Sequence, residues 1–142
     1  MIYFDACYAA KLYTEEPDSD RVKARGLAER VVACAAHGQV EVFAVFHRKL
    51  REGLVTTAEL QLACDQFDSD CASGLWAWFP VGSALISATM KRLRTLPPHL
   101  FVRAADAMHM TCAAEEGFKE IHTSDRHMIA AAPAFGLKAI TL

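Results

Sequence analysis

Short apolar runs alternate along this chain with stretches of helical periodicity, and that alternation restricts the fold more than any other feature of the sequence. Ile2-Tyr3-Phe4 reads as a strand. A helical stretch around Tyr8–Tyr13 follows, and after a break at Glu15–Ser19 a helix runs from about Asp20 to Glu29. Val31–Ala35 is a second apolar run, with His37-Gly38 marking a turn before a helix over Gln39–Arg51 that Gly53 ends. Thr56-Thr57-Ala58-Glu59 has the form of a capping box and opens a helix to about Asp70, whose Leu60, Ala63, Cys64 and Phe67 share one stripe. Phe79-Pro80-Val81 is placed as a short edge strand, where proline is tolerated. Helices over Ser83–Arg94 and Val102–Glu116 flank the break at Pro97-Pro98. The chain finishes with a strand at Glu120–Thr123, a short helix at Arg126–Ala131 and a strand at Lys138–Leu142. Parallel strands need crossover connections, and helices serve as those crossovers. The expected architecture is a three-layer α/β/α sandwich around a central parallel sheet of about five strands.

A chain of 142 residues falls in the size range of one domain with a single core, so residues 1–142 are read as one unit. Its 53% hydrophobic and 23% charged residues argue against disorder. No apolar stretch approaches the roughly 18 residues of a membrane span and no leader-like segment opens the chain, so a cytoplasmic protein with no membrane partner is expected. The five cysteines, Cys7, Cys34, Cys64, Cys71 and Cys112, are scattered without C-x-x-C spacing, which favours reduced thiols over a disulfide framework or a zinc knuckle. A net charge of −2 gives no overall basic field, so any polyanion would be bound locally.

Within that architecture, four carboxylates occupy comparable places. Sites in open parallel sheets gather at the carboxyl ends of the strands. Asp5 ends the first strand, and Asp125 follows the fourth in Ile121–Asp125. Glu41 is a lone charge in Val40–Phe46, at the start of the helix after the second strand. Asp106 lies near the start of another helix, on one stripe with Met110 and Ala113. A buried carboxylate without a partner is costly, so Asp5 requires something opposite it. Clustered acids repel one another unless protons or cations neutralise them, and all-oxygen ligation suits Mg²⁺ or Mn²⁺. Phosphodiester hydrolysis uses that chemistry, since such an ion activates water and offsets charge on the leaving oxygen. Structural roles stand beside this one: the helix macrodipole favours Glu41 and Asp106, and Asp125 is placed to cap a short helix. The neighbours of Asp5 leave it few such roles.

Four stretches, MIYFDACYAAKLYTEEPDS, QVEVFAVFHRKLREG, VRAADAMHMTCAAEEG and EIHTSDRHMIAAAPAFGL, in this order and spacing, resemble the PIN domain. The likeness is to the VapC-type toxin ribonucleases of bacterial and archaeal toxin–antitoxin pairs. The family's first acid, in an N-terminal hydrophobic-Asp-Thr/Ser pattern, matches Asp5. Its helix glutamate before a Lys/Arg-rich segment matches Glu41, the aspartate of its (R)-A-x-D-A-x-H-x motif matches Asp106, and its Thr-x-Asp acid matches Asp125. The resemblance implies a Mg²⁺- or Mn²⁺-dependent endoribonuclease whose four acids hold one or two ions. It further implies action on structured RNA such as tRNA or rRNA, a homodimer, and silencing by a small cognate antitoxin. The chain departs from the pattern at Cys7 and Cys34, where hydroxyl residues are usual, and in His37-Gly38-Gln39 before Glu41. Thiols are poorer hydrogen-bond partners than hydroxyls, which bears on the surroundings of a metal more than on the reaction type.

Arg48 and Lys49, with Arg51, form one basic cluster, and Lys91, Arg92 and Arg94 another. Both read as RNA-phosphate contacts or, more simply, as solvated helix faces. Arg103, three residues before Asp106, is the foremost non-acidic candidate for a phosphate contact, its alternative being a pair with an acid on its own helix. His109 reads as a neighbour of a metal or, more simply, as a hydrogen-bonded core histidine. For Trp76 and Trp78 the alternatives are base stacking and burial or a dimer contact. Phe43, Phe46, Leu50 and Leu54 form a row most simply read as core, its surplus length leaving room for a partner. Two other functions compete with this one. A phosphoaspartyl mechanism is disfavoured because Cys7 stands where a second acid is needed and Lys138 begins its strand instead of ending it. A catalytically degenerate PIN-like module acting through protein partners is disfavoured by the retention of four mutually repelling acids and favoured by Cys7 and Cys34.

Overall fold

A computed structural model describes residues 1–142. Strand β1 (Ile2–Tyr3) pairs in parallel with β2 (Val32–Ala35), and β2 with β3 (Trp76–Phe79). Strand β4 (Glu120–His122) pairs in parallel with β5 (Lys138–Ile140). A parallel bridge between Phe4 and His122 joins the two groups, which gives the strand order β5-β4-β1-β2-β3. The Phe4 N–H donates to Ala33 O (2.9 Å) and the Asp5 N–H to His122 O (3.1 Å), so both neighbours hold the chain as far as Asp5. From β1 the chain works outward to β3, then restarts on the opposite side at β4. The topological switch point of the sheet therefore lies between β1 and β4, where such folds open a crevice at the carboxyl ends of the strands.

Seven helices connect the strands: α1 (Ala6–Lys11), α2 (Ser19–Leu27), α3 (Gly38–Arg51), α4 (Thr57–Ser73), α5 (Ser83–Arg94), α6 (Ala104–Glu115) and α7 (Arg126–Ala131), the last running into a 3₁₀ turn at Ala132–Phe135. Side chains alternate across a strand, and here both faces are apolar, as burial on both sides requires. Ile2, Phe4, Val32, Cys34 and Trp76 pack under Tyr8, Val22, Val42, Phe46 and Phe67 from α1 to α4. Tyr3, Ala33, Ala35 and Ile121 pack under Ala107, Met110, Ala113, Met128 and Phe135 from α6, α7 and the 3₁₀ turn, with Leu85 of α5 at the margin. This is a three-layer sandwich.

Some elements fall where expected, among them Ser83–Arg94, Arg126–Ala131 and the capping box, in which Thr56 Oγ1 accepts from the Glu59 N–H (3.2 Å) and Glu59 Oε2 from the Thr56 N–H (2.7 Å). The third strand does not. It runs over Trp76–Phe79 and ends before Pro80, instead of spanning Phe79–Val81. Trp76 is buried and its Nε1–H donates to Tyr13 Oη (2.7 Å), while the Trp78 ring stacks on it at 4.6 Å between centroids. The two tryptophans are packed together, Trp76 fully inside, and burial anchors this edge strand. The row from Phe43 to Leu54, which runs past the end of α3, is core only in part: Phe46 is buried, whereas Phe43 and Leu54 are 40% and 65% exposed.

Gly38 allows α3 to begin against β2. A Cβ there would lie 2.6 Å from Cys34 Sγ and 3.2 Å from His109 Cε1, closer than side chains pack. Gly38→Ala is expected to destabilise the fold by about 1–3 kcal/mol through overpacking, read as a lower urea midpoint at unchanged slope.

Candidate active site

Asp5 sits at the switch point and is buried. Its side chain caps α1, one oxygen accepting from the Tyr8 N–H (2.8 Å) and the other from the Thr123 hydroxyl at the end of β4. Within the chain, the partners of this buried carboxylate are a helix cap and a hydroxyl, a structural role that its sequence neighbours did not suggest. Those bonds do not offset its burial. Desolvation, opposed by the Thr123 and Tyr8 hydrogen bonds and helped by the nearby charge of Asp106, leaves the Asp5 carboxyl pushed up to about 6.

Asp106 is in the first turn of α6, and its Oδ2 is buried with no hydrogen-bond partner. Burial, then the charge of Asp125, raise its carboxyl above the usual range against the pull of Arg103. Asp125 caps α7, its Oδ1 accepting from the N–H groups of His127 (2.7 Å) and Met128 (3.0 Å). The Arg103 guanidinium lies between these two acids, its Nη1 3.5 Å from Asp125 Oδ2 and 4.0 Å from Asp106 Oδ2, and its side chain is 63% exposed. An exposed guanidinium of this kind contributes little to stability and is free to turn toward an incoming anion.

Glu41 meets the others across the crevice from the first turn of α3, but histidines hold it. The buried His109 Nε2 donates to its Oε2 at 2.7 Å, and His37 Nε2 is 3.5 Å from the same oxygen. Burial alone would push the Glu41 carboxyl up; the hydrogen bond and charge of His109, with the charge of His37, hold it below the usual range. The His109 Nδ1 in turn lies 3.3 Å from Tyr3 Oη. His109 is therefore both a hydrogen-bonded core histidine and a wall of the crevice.

Asp5, Glu41, Asp106 and Asp125 line one cleft of about 580 Å³ with Arg103, Arg48, Glu16, His109, Cys7 and Ser124. Lys49 is corrected: it is buried and paired with Glu16 at 2.9 Å, and it does not line the cleft. The second basic cluster lies on the opposite layer, where Arg92 donates to Phe135 O and Glu115. Cys7 is exposed at the mouth, 3.5 Å from Ser124 Oγ, its thiol pushed up by burial of the sulfur and by the Asp5 charge. Cys34 is buried beneath His109. Sequence reasoning missed Thr123, Ser124 and Glu16; the Thr-Ser-Asp run after a strand was the signal available for the first two.

Carboxylate oxygens are the donors a hard divalent cation takes, although the three ligand atoms that lie within 4.8 Å of one another here are those of His37, Glu41 and His109. Asp106 Oδ2 is a buried oxygen without a proton donor, and Asp5 and Asp106 are both raised by conditions that a nearby positive charge would reverse.

No protein-family model and no curated protein matches the sequence. Among solved structures, the chain is similar to VapC20 of Mycobacterium tuberculosis, a sarcin–ricin-loop cleaving toxin, with a TM-score of 0.70 at 16% identity over 92% of this chain and 95% of that one. Strand order, covering layers and this similarity together identify the fold of the chain as that of the VapC-type PIN domain.

Proposed function

We propose that the chain is a divalent-cation-dependent endoribonuclease, the toxin of a toxin–antitoxin pair, acting on structured RNA. The observation that supports this reading most directly is the unpartnered buried oxygen of Asp106, set between Asp5 and Asp125 with the Arg103 guanidinium above it. Asp5, Asp106 and Asp125 would hold Mg²⁺ or Mn²⁺. Such an ion, when bound, supplies positive charge that lowers the pKa of water and offsets charge developing at phosphorus. Arg103 turns from the carboxylates to a phosphate oxygen, and Arg48 on the cleft wall contacts the RNA backbone. Thr123 fixes the Asp5 carboxylate, so its free lone pairs face the cleft in one orientation. Glu41, oriented by His109, accepts the proton of the attacking water.

A mixed groove of about 360 Å³ between α1, α3 and α4, lined by Leu12, Phe46, Leu54, Leu60 and Leu62 together with Glu15, Glu59 and Lys49, is where a cognate antitoxin would be sought. No helix is long and apolar enough to cross a membrane.

Incubation of total RNA with the purified protein tests the reading. Discrete fragments are expected with Mg²⁺ or Mn²⁺, and none with EDTA or with Asp106→Asn. Intact RNA under every cation tried, with no cation-induced rise in melting temperature, would overturn the reading in favour of a degenerate binding module.

A further inference from the structure

His37, Glu41 and His109 form a second constellation on the same cleft, and its donor chemistry differs from that of the aspartates. His37 and Glu41 stand one turn apart at the start of α3, and His109 stands one turn beyond Asp106 on α6, so the two helices present them to one point. One ring nitrogen of each histidine and an oxygen of Glu41 lie within 4.8 Å of one another. The rings themselves are 4.1 Å apart between centroids, at 38°.

Two further observations favour a cation over a closed hydrogen-bond network. The His37 Nε2 is 3.5 Å from Glu41 Oε2 and 3.2 Å from Ala105 O, and its Nδ1 is buried with no partner, so the ring is not closed into a hydrogen-bond network. His109 has a partner behind it, Tyr3 Oη at 3.3 Å from Nδ1, with Nε2 turned to the cleft. Metal-binding histidines are commonly held as His109 is, one nitrogen on the ion and the other ring N–H on a carbonyl or hydroxyl. Two imidazoles and a carboxylate suit Zn²⁺, Co²⁺ or Ni²⁺, whereas Mg²⁺ prefers oxygen alone.

We infer that His37, Glu41 and His109 form a second cation site, selective for a borderline transition ion and distinct from the oxygen site of Asp5, Asp106 and Asp125. Three protein ligands leave a fourth position open to the cleft, and the occupied site withdraws Glu41 from proton transfer. The binding stands independently of the cleavage reading; its inhibitory consequence rests on that reading.

The test is a Co²⁺ titration of the chelator-treated protein in saturating Mg²⁺, followed by visible ligand-field absorption. One equivalent is expected to bind with a spectrum of mixed nitrogen and oxygen ligation. His37→Ala, His37→Gln and Glu41→Gln should each weaken it about tenfold or more with unchanged far-UV circular dichroism, and Asp5→Asn should leave it intact. Displacement of Co²⁺ by Mg²⁺, or undiminished binding by both His37 variants, would overturn the second site. Loss of RNA cleavage activity in Mg²⁺ with the Co²⁺ signal intact would instead sink the nuclease reading alone.

Discussion

Asp5→Asn is expected to lower RNA cleavage by at least about 10²-fold, the scale on which loss of one preorganised charge-stabilising group is felt, while the protein stays folded. The asparagine retains an oxygen to accept from the Tyr8 N–H, so the cap of α1 survives, and its amide stands where the Thr123 hydroxyl can reorient and accept. What disappears is a buried negative charge beside Asp106. The two readouts must therefore move in opposite directions: initial cleavage rate down, and melting temperature in EDTA up. Equal cleavage by the variant and the parent would remove Asp5 from the chemistry. A collapse of the fold would show that its cap outweighs its repulsion.

The same carboxylate makes the stability of the metal-free protein depend on pH, and the sign follows from the direction of the shift. Its proton is held more tightly in the folded chain, at about 6, than at the ordinary value of 3.8. The contribution of Asp5 to stability is complete below the ordinary value and is lost as pH rises through about 6. At 1.36 kcal/mol per tenfold change in proton affinity, the full loss is of order 3 kcal/mol. Other groups titrate in this range, His37 and His122 lying below the usual histidine value because of burial, so the parent's curve alone does not isolate it. The difference between Asp5→Asn and the parent does. In EDTA the variant should be the more stable by its largest margin near pH 8, and the margin should shrink steadily as pH falls through about 6. A margin that is flat with pH would mean that Asp5 ionises in the folded protein as it does in the open chain.

Periodicity and capping chemistry were enough to place most elements, because they are local properties. Thr56 and Glu59 opened a helix on grounds that involve four consecutive residues, and the structure forms those bonds. The third strand slipped because Phe79-Pro80-Val81 is apolar in the way an edge strand is. What sets its position is the indole of Trp76 reaching Tyr13 Oη, a contact across 63 positions that no window of sequence contains. The site divides in the same way. The types and places of Asp5, Glu41, Asp106 and Asp125 were legible as carboxylates at strand ends and first turns. The cap that Asp125 places on α7 was legible as well, but that Asp5 is tied to Thr123, Asp106 is orphaned and Glu41 is held by His109 was not, since those partners come from other segments of the chain. Lys49 shows the reverse error: it read as a free cation from its neighbours, and Glu16 had already claimed it.

The single bridge that joins β1 to β4 also sets a clock. Asp5 leaves the ribosome well before the hydroxyl that orients it, which lies 118 positions later. At a translation rate of about 5–20 residues per second, the growing chain carries its first acid for roughly 6–24 s before the other half of the site exists. Early in that interval β1, β2 and β3 can pair without the charge repulsion that the finished cleft imposes, since β3 ends at Phe79, before either Asp106 or Asp125 has been made. The cost of crowding the acids falls on the last step of assembly, and a chain still being synthesised has no complete cleft.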